Sequence, residues 1–345
     1  MQKKIIIFLA TLVVAFIVCG ALSAATVKSN DINTAKISTV GATTSQTNPA
    51  ISGTRIVWEE NGVIYLKNLA NGFIGKVYKS SNEQYSPAIS GSIIVWEEWY
   101  ESGGDLYLEY LKTKKIVKLK SEGYDEYQGV PAIDGNILVW EDAYTYSGGY
   151  LDYSIIYVRN LAGGVSREIT SSSVGNRFNP DISGYRVVWE EESESLDSYN
   201  IYVKNLKTNH WGKVLSSNEL QTNPHISGTR IVWEQKDSSG HTAIYLKNLA
   251  TLKWGKVLSS KENQSNPDIS GTRIVWVQKD SSGHTAIYLK DLATLNWGKV
   301  YNSGKNQQEP AIDGDRVVWT QDTTNGHKAI YVKNLKTKKT DKLTP

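Results

Sequence analysis

Cysteine is all but missing from this chain of 345 residues: Cys19 is the single thiol, and it lies in the first apolar run. No disulfide can form within the chain, and no paired-cysteine metal or redox motif exists. Methionine occurs once, at Met1, and phenylalanine four times, whereas tyrosine and tryptophan supply 20 and 11 residues. No second long hydrophobic run follows the N-terminal one, so nothing downstream reads as a membrane span. The calcium-loop pattern is missing, as are a serine-hydrolase elbow and any basic run interleaved with stacking aromatics. Neither cofactor nor metal nor nucleic acid is therefore implied as a partner. Proline is scarce and strictly placed. Seven of the eight prolines, Pro49, Pro87, Pro131, Pro180, Pro224, Pro267 and Pro310, advance in steps of 38, 44, 49, 44, 43 and 43 residues.

Each of these prolines opens a phrase that ends nine residues later in tryptophan: Trp58, Trp96, Trp140, Trp189, Trp233, Trp276 and Trp319. A fixed period near 43 residues marks a repeat architecture. In the copy from Asn223 to Ser260, Pro224-His-Ile-Ser reads as a short first strand, with proline at its start where no ladder donor is needed. Arg230-Ile-Val-Trp-Glu reads as a strand buried on both faces, Ala243 to Leu249 as a third and Trp254-Gly-Lys-Val-Leu-Ser as a fourth. Four short antiparallel strands per period predict an all-β, seven-bladed β-propeller. Helical repeats of similar period fail on the recurring proline, β-branched pairs and Gly turns. The tryptophans are expected to wedge between blades, each removing roughly 150–250 Å² from water.

The N-terminus combines Lys3 and Lys4, an apolar run from Ile5 to Val18 and small residues to Ala25, the pattern of a secretory signal. The expected organisation is a signal at 1–24, a linker at 25–34 and the propeller at 35–345. Cleavage gives an extracytoplasmic chain, secreted or at the cell surface; retention of residues 5–25 would make them an anchor and the sole membrane insertion. The segment Ala35-Lys-Ile-Ser-Thr-Val40 resembles a fourth strand, as does Lys339 to Thr344. The N-terminal segment is expected to pair onto the last blade and help close the ring, because an open edge invites aggregation. The two candidates then either compete for one slot or lie side by side.

Pro-Ala-Ile-Ser-Gly, Ile-Val-Trp and Ile-Tyr-Leu-Lys-Asn-Leu together resemble the TolB-like propeller repeat, in the variety found in archaeal cell-surface proteins. The resemblance covers residues 35–345. It departs at the turn, where Ser52-Gly53 or Asp134-Gly135 stands for the family's Ser-Pro-Asp-Gly. It implies a secreted or surface-displayed binding scaffold, and the absence of a nucleophile elbow or a lone carboxylate pair adds the expectation that it is not an enzyme.

Charge is polarised. Between Asn82 and Asn200 there are 20 acidic and 9 basic residues, a balance of −11, and the rest of the chain beyond residue 25 carries 27 basic against 15 acidic, +12. The same acidic region holds the most varied links between second and third strands. Rigid scaffolds carry binding sites on such segments. The candidate ligand-binding residues are Trp99, Tyr100, Asp105, Tyr144, Tyr146, Tyr150, Asp152 and Tyr153. A second candidate is the glutamate after five of the repeat tryptophans, Glu59, Glu97, Glu141, Glu190 and Glu234. These form either an acidic arc for a cation or basic partner, or strand-end carboxylates facing water or a paired arginine. His241, His284 and His327 recur by repeat copying and are not expected to share a metal. Asn263-Gln-Ser265 is a glycosylation acceptor sequence. These readings favour a protein- or glycan-binding scaffold over a self-assembling envelope component, with a propeller lyase or glycosidase behind both.

Overall fold

The computed structural model describes residues 44–100, 103–119, 127–146, 150–169, 175–193 and 198–343. The expected signal, the linker and the Ala35–Val40 segment lie outside them. Among the described residues no helix is long and apolar enough to cross a membrane.

The described strands fall into seven sets of four, each set contiguous in sequence and antiparallel throughout. They occupy residues 46–76, 83–118, 127–168, 177–213, 220–256, 264–299 and 307–342, hereafter blades 1 to 7. The innermost strand comes first and the outermost last. Blades 2 and 3 also share a parallel backbone bridge at Gly104–Tyr127, which joins them into one eight-stranded sheet. The last blade is completed by its own C-terminal strand, Thr340–Lys342, so the C-terminal candidate fills that slot.

Proline does not open the inner strand. In blade 5 that strand runs Leu220–Ser227, and Asn223-Pro224 forms a bulge opposite the single residue Trp233. The same two-against-one register recurs in every blade. The residue before each proline, Asn48, Ser86, Val130, Asn179, Asn223, Asn266 or Glu309, has φ between 46° and 51°. Asparagine tolerates this left-handed conformation best of the residues present. Proline suits the bulge because it has no N–H to leave without a ladder partner.

The tryptophan opposite the bulge is fully buried and stacks on the tyrosine paired with it on the third strand. Centroid separations run from 5.5 Å for Trp140–Tyr157 to 6.0 Å for Trp276–Tyr288. Each tryptophan reaches the preceding blade. Trp276 packs with Val232, Ile244 and Val257 of blade 5, and Trp58 with Val318, Ile330 and Val332 of blade 7.

Ring closure is legible in one repeated hydrogen bond. The Ser or Asp that ends each inner strand accepts the amide N–H of the turn glycine in the next blade. Examples are Ser52 from Gly91 at 2.9 Å, Ser227 from Gly271 at 2.9 Å and, across the seam, Asp313 from Gly53 at 2.6 Å. These glycines have φ of 55–61° with open space where a Cβ would stand, so backbone conformation rather than room requires glycine. A second series comes from the inner-strand glutamines, whose Oε1 accepts a third-strand N–H of the preceding blade. Gln264 takes Ile244 N–H at 3.0 Å, and Gln46 takes Ile330 N–H at 3.0 Å across the seam. Each such bond contributes about 0.5–1.5 kcal/mol net, and the two series tie each blade to the next, across the seam included.

Candidate functional site

The aromatic candidates are strand residues rather than loop residues. Trp99 and Tyr100 end the second strand of blade 2, Ile93–Tyr100, and Asp105 lies in the facing strand, Gly103–Tyr110. Tyr144 and Tyr146 belong to Ile137–Tyr146, and Tyr150, Asp152 and Tyr153 to Tyr150–Asn160. Backbone pairing sets Tyr144 opposite Tyr153 and Tyr146 opposite Tyr150. The longer spacing in this region therefore lengthens a hairpin, because tyrosine-rich stretches favour the pleated conformation.

Successive strand residues face opposite sides, and this divides the set. On one side of blade 2, Trp99 is 43% exposed, 5.3 Å from Tyr127 of blade 3 and edge-on to Tyr85 at 6.4 Å. Glu97 accepts from Trp99 Nε1 at 3.2 Å and from the Tyr127 hydroxyl at 3.3 Å, while the Tyr85 hydroxyl donates to Glu83. A Cβ on Gly104 would stand 3.1 Å from the Tyr127 ring, so the bridge between blades also makes room for that ring. On the other side, the Tyr100 and Tyr107 hydroxyls share a hydrogen bond, and Lys118 lies 5.3 Å over the Tyr100 ring and pairs with Asp105 at 2.5 Å. Tyr153 is exposed at the foot of the next hairpin. Tyr85 and Tyr127 belong to this cluster although the sequence reading did not single them out. Their signal was positional: each stands in the inner strand shortly before the bulge.

The five glutamates after the tryptophans have a partner that the sequence did not suggest. Each accepts the backbone N–H of the left-handed residue in the next blade. Glu59 takes Ser86 at 2.6 Å, Glu97 takes Val130 at 2.7 Å, Glu190 takes Asn223 at 2.7 Å and Glu234 takes Asn266 at 2.8 Å. Glu141 bonds likewise to the Asn179 backbone. Asn48, Asn179 and Asn223 add a side-chain amide bond to the glutamate of their own blade. Among the described residues none of the five pairs with an arginine. Burial raises the carboxyls of Glu59, Glu190 and Glu234 above the usual range and pushes Glu141 up to about 7. Where blade 7 has Thr320, Glu309 takes over and accepts the Asn48 N–H at 3.0 Å. The arc is thus occupied as a clasp around the bulges.

A third group lies in the channel, a cavity of about 380 Å³ bounded by the inner strands of all seven blades. The residue after each proline faces it. It is alanine in blades 7, 1, 2 and 3, at Ala311, Ala50, Ala88 and Ala132, and then Asp181, His225 and Asp268 in blades 4, 5 and 6. His225 Nδ1 is 3.6 Å from a carboxylate oxygen of each aspartate. Burial in the channel wall raises both aspartates, Asp268 to about 6. Among the described residues no set of three His, Asp or Glu side chains converges closely enough to ligate a metal ion.

No family model matches the chain, and no curated protein sequence does. Solved structures do. The β-propeller domain of the Trilobed protease from Pyrococcus furiosus superposes with a TM-score of 0.67 at 13% identity, covering 88% of this chain and 98% of that one. Pyrococcus horikoshii acylaminoacyl peptidase gives 0.67 at 13% identity, covering 88% of this chain and 52% of that one. A puromycin hydrolase gives 0.70 at 10% identity over 87% and 53%. At these identities the likeness is one of fold: the chain is a repeat β-propeller, and it spans about half the length of the two hydrolases.

Proposed function

We propose that this protein is a secreted or cell-surface, non-enzymatic binding scaffold that recognises a protein or glycan through the hairpin side of blades 2 to 4. The observation that carries the reading is the exposed Trp99, held between Tyr85 and Tyr127 and oriented by Glu97. An indole fixed at low entropy cost beside carboxylate acceptors suits stacking on a sugar face or burying an apolar side chain. The acidic balance of −11 between Asn82 and Asn200 adds long-range preference for a basic partner. The resemblance of the repeat to TolB-like archaeal cell-surface repeats supports display outside the cell. The Trilobed protease is a precedent for this fold as one domain of a larger protein. The test is capture of glycans and envelope proteins by the immobilised chain. Joint Trp99→Ala and Tyr85→Ala substitution is expected to weaken capture roughly tenfold or more.

A second reading, lateral assembly into an envelope layer, is favoured by the outer edge of blades 4 to 6. Trp211, Trp254 and Trp297 occupy the same outer-strand position, exposed by 42–56%. Leu252 and Leu295 are exposed beside them at the hairpin turns. If this stripe joins copies, light scattering of the purified chain should show mass rising with concentration, and Trp254→Ser with Trp297→Ser should abolish the rise. A constant monomer mass removes this reading.

A further inference from the structure

We propose that the channel contains a binding site for a small organic cation, a primary ammonium or guanidinium, built by Asp181 and Asp268 on either side of His225. At the position after proline, four consecutive blades present alanine to the channel, and the three remaining blades, also consecutive, present acid, imidazole and acid. This is an asymmetry of the wall: at that position one side is apolar and small, the other polar.

The two carboxylates are held in fixed orientations. Asp181 accepts Ile182 N–H at 2.8 Å and Ile226 N–H at 2.7 Å; Asp268 accepts Ile269 N–H and Ile312 N–H, both at 2.7 Å. Every carboxylate oxygen thus spends one lone pair on the backbone and keeps another for a ligand. Neither aspartate has a lysine or arginine partner among the described residues, and His225, 3.6 Å from each, is the only cationic candidate paired with them. Two carboxylates on rigid strands repel an anion. A cation approaching them from the channel, alongside His225, gains charge-assisted hydrogen bonds where water screens less than in bulk. The recessed wall at Ala88 and Ala132 leaves width for the hydrocarbon stem of such a ligand. Although His225 Nδ1 lies 3.6 Å from both, the aspartates and His225 do not form a set that could hold a metal ion among the described residues, so the site fits a multi-donor organic cation better than a bare metal ion.

The test uses the purified chain and n-butylammonium chloride, with agmatine as the guanidinium probe and n-butanol as the neutral counterpart. Titration is followed by calorimetry and by the imidazole resonances of His225, near neutral pH and at low ionic strength. Saturable binding of either cation with a shift of the His225 resonances, and none of n-butanol, is expected. Asp181→Asn with Asp268→Asn should weaken it roughly tenfold or more. Ala88→Leu, which keeps both carboxylates and narrows the opposite wall, should weaken it as well and serves should the double Asn variant fail to fold. The proposal is overturned if neither cation saturates the wild-type chain, if n-butanol binds equally, or if a folded variant of either kind keeps full affinity. None of these outcomes depends on the hairpin site.

Discussion

Replacing Trp276 with alanine is expected to lower the stability of the ring by about 3–5 kcal/mol. The indole is fully buried, stacks on Tyr288 and packs against Val232, Ile244 and Val257 of the preceding blade. Its Nε1 donates to Gln278 at 3.3 Å, and truncation removes that bond while Gln278 keeps the amide of Gln264 at 3.0 Å. The loss falls on a contact between blades and should therefore destabilise the whole ring. Denaturant unfolding of the variant should show a shifted midpoint, while ligand capture by the folded fraction stays at the wild-type level. An unchanged midpoint would contradict the role of the tryptophan as a wedge.

The second large effect is expected at Arg177. In blades 5, 6 and 7 the inner-strand glutamine donates to a second-strand glutamine, as Gln221 to Gln235 at 3.3 Å and Gln264 to Gln278 at 3.0 Å. Blade 4 places Arg177 and Glu191 at these positions, with Nε 2.9 Å from the carboxylate and both side chains buried. Removing one member of such a pair strands the other charge in the interior, and Arg177→Ala or Glu191→Ala should each cost about 3–5 kcal/mol. Joint Arg177→Gln and Glu191→Gln reproduces the pair found in the neighbouring blades and is expected to regain most of that stability. A double-mutant cycle on unfolding midpoints decides the matter, since simple additivity would mean that the two side chains do not act as a pair.

The phrase from proline to tryptophan carries the blade architecture because its informative residues are local. Trp and the β-branched run before it define the second strand, and Gly at positive φ defines the turn. Proline misled as to the strand start, since the bulge depends on the left-handed residue before it, which varies from Asn223 to Val130 and Glu309. The glutamates were visible at fixed spacing, yet their partners are backbone amides one blade away, and a backbone amide carries no sequence signal. The pairing of Trp99 with Tyr127 was hidden for a related reason: it depends on the contact between blades 2 and 3 at Gly104. The channel arc was legible in principle. Pro-Ala-Ile gives way to Pro-Asp-Ile at Pro180 and Pro267 and to Pro-His-Ile at Pro224, three departures in consecutive copies of a phrase that otherwise holds its apolar residue. Their significance emerges only once the position after proline is known to face the channel.

Sequence constancy in this molecule thus marks the clasps that bind one blade to the next, and the proposed recognition surface lies where the sequence departs from it. The direct test is a side-by-side capture screen, against glycans and envelope proteins, of the wild-type chain and the Trp99→Ala/Tyr85→Ala variant, with unfolding midpoints measured on both. The account predicts ligand retained by the wild type and lost by the variant at an unchanged midpoint. Ligand retained equally by both would place recognition elsewhere on the ring and contradict it.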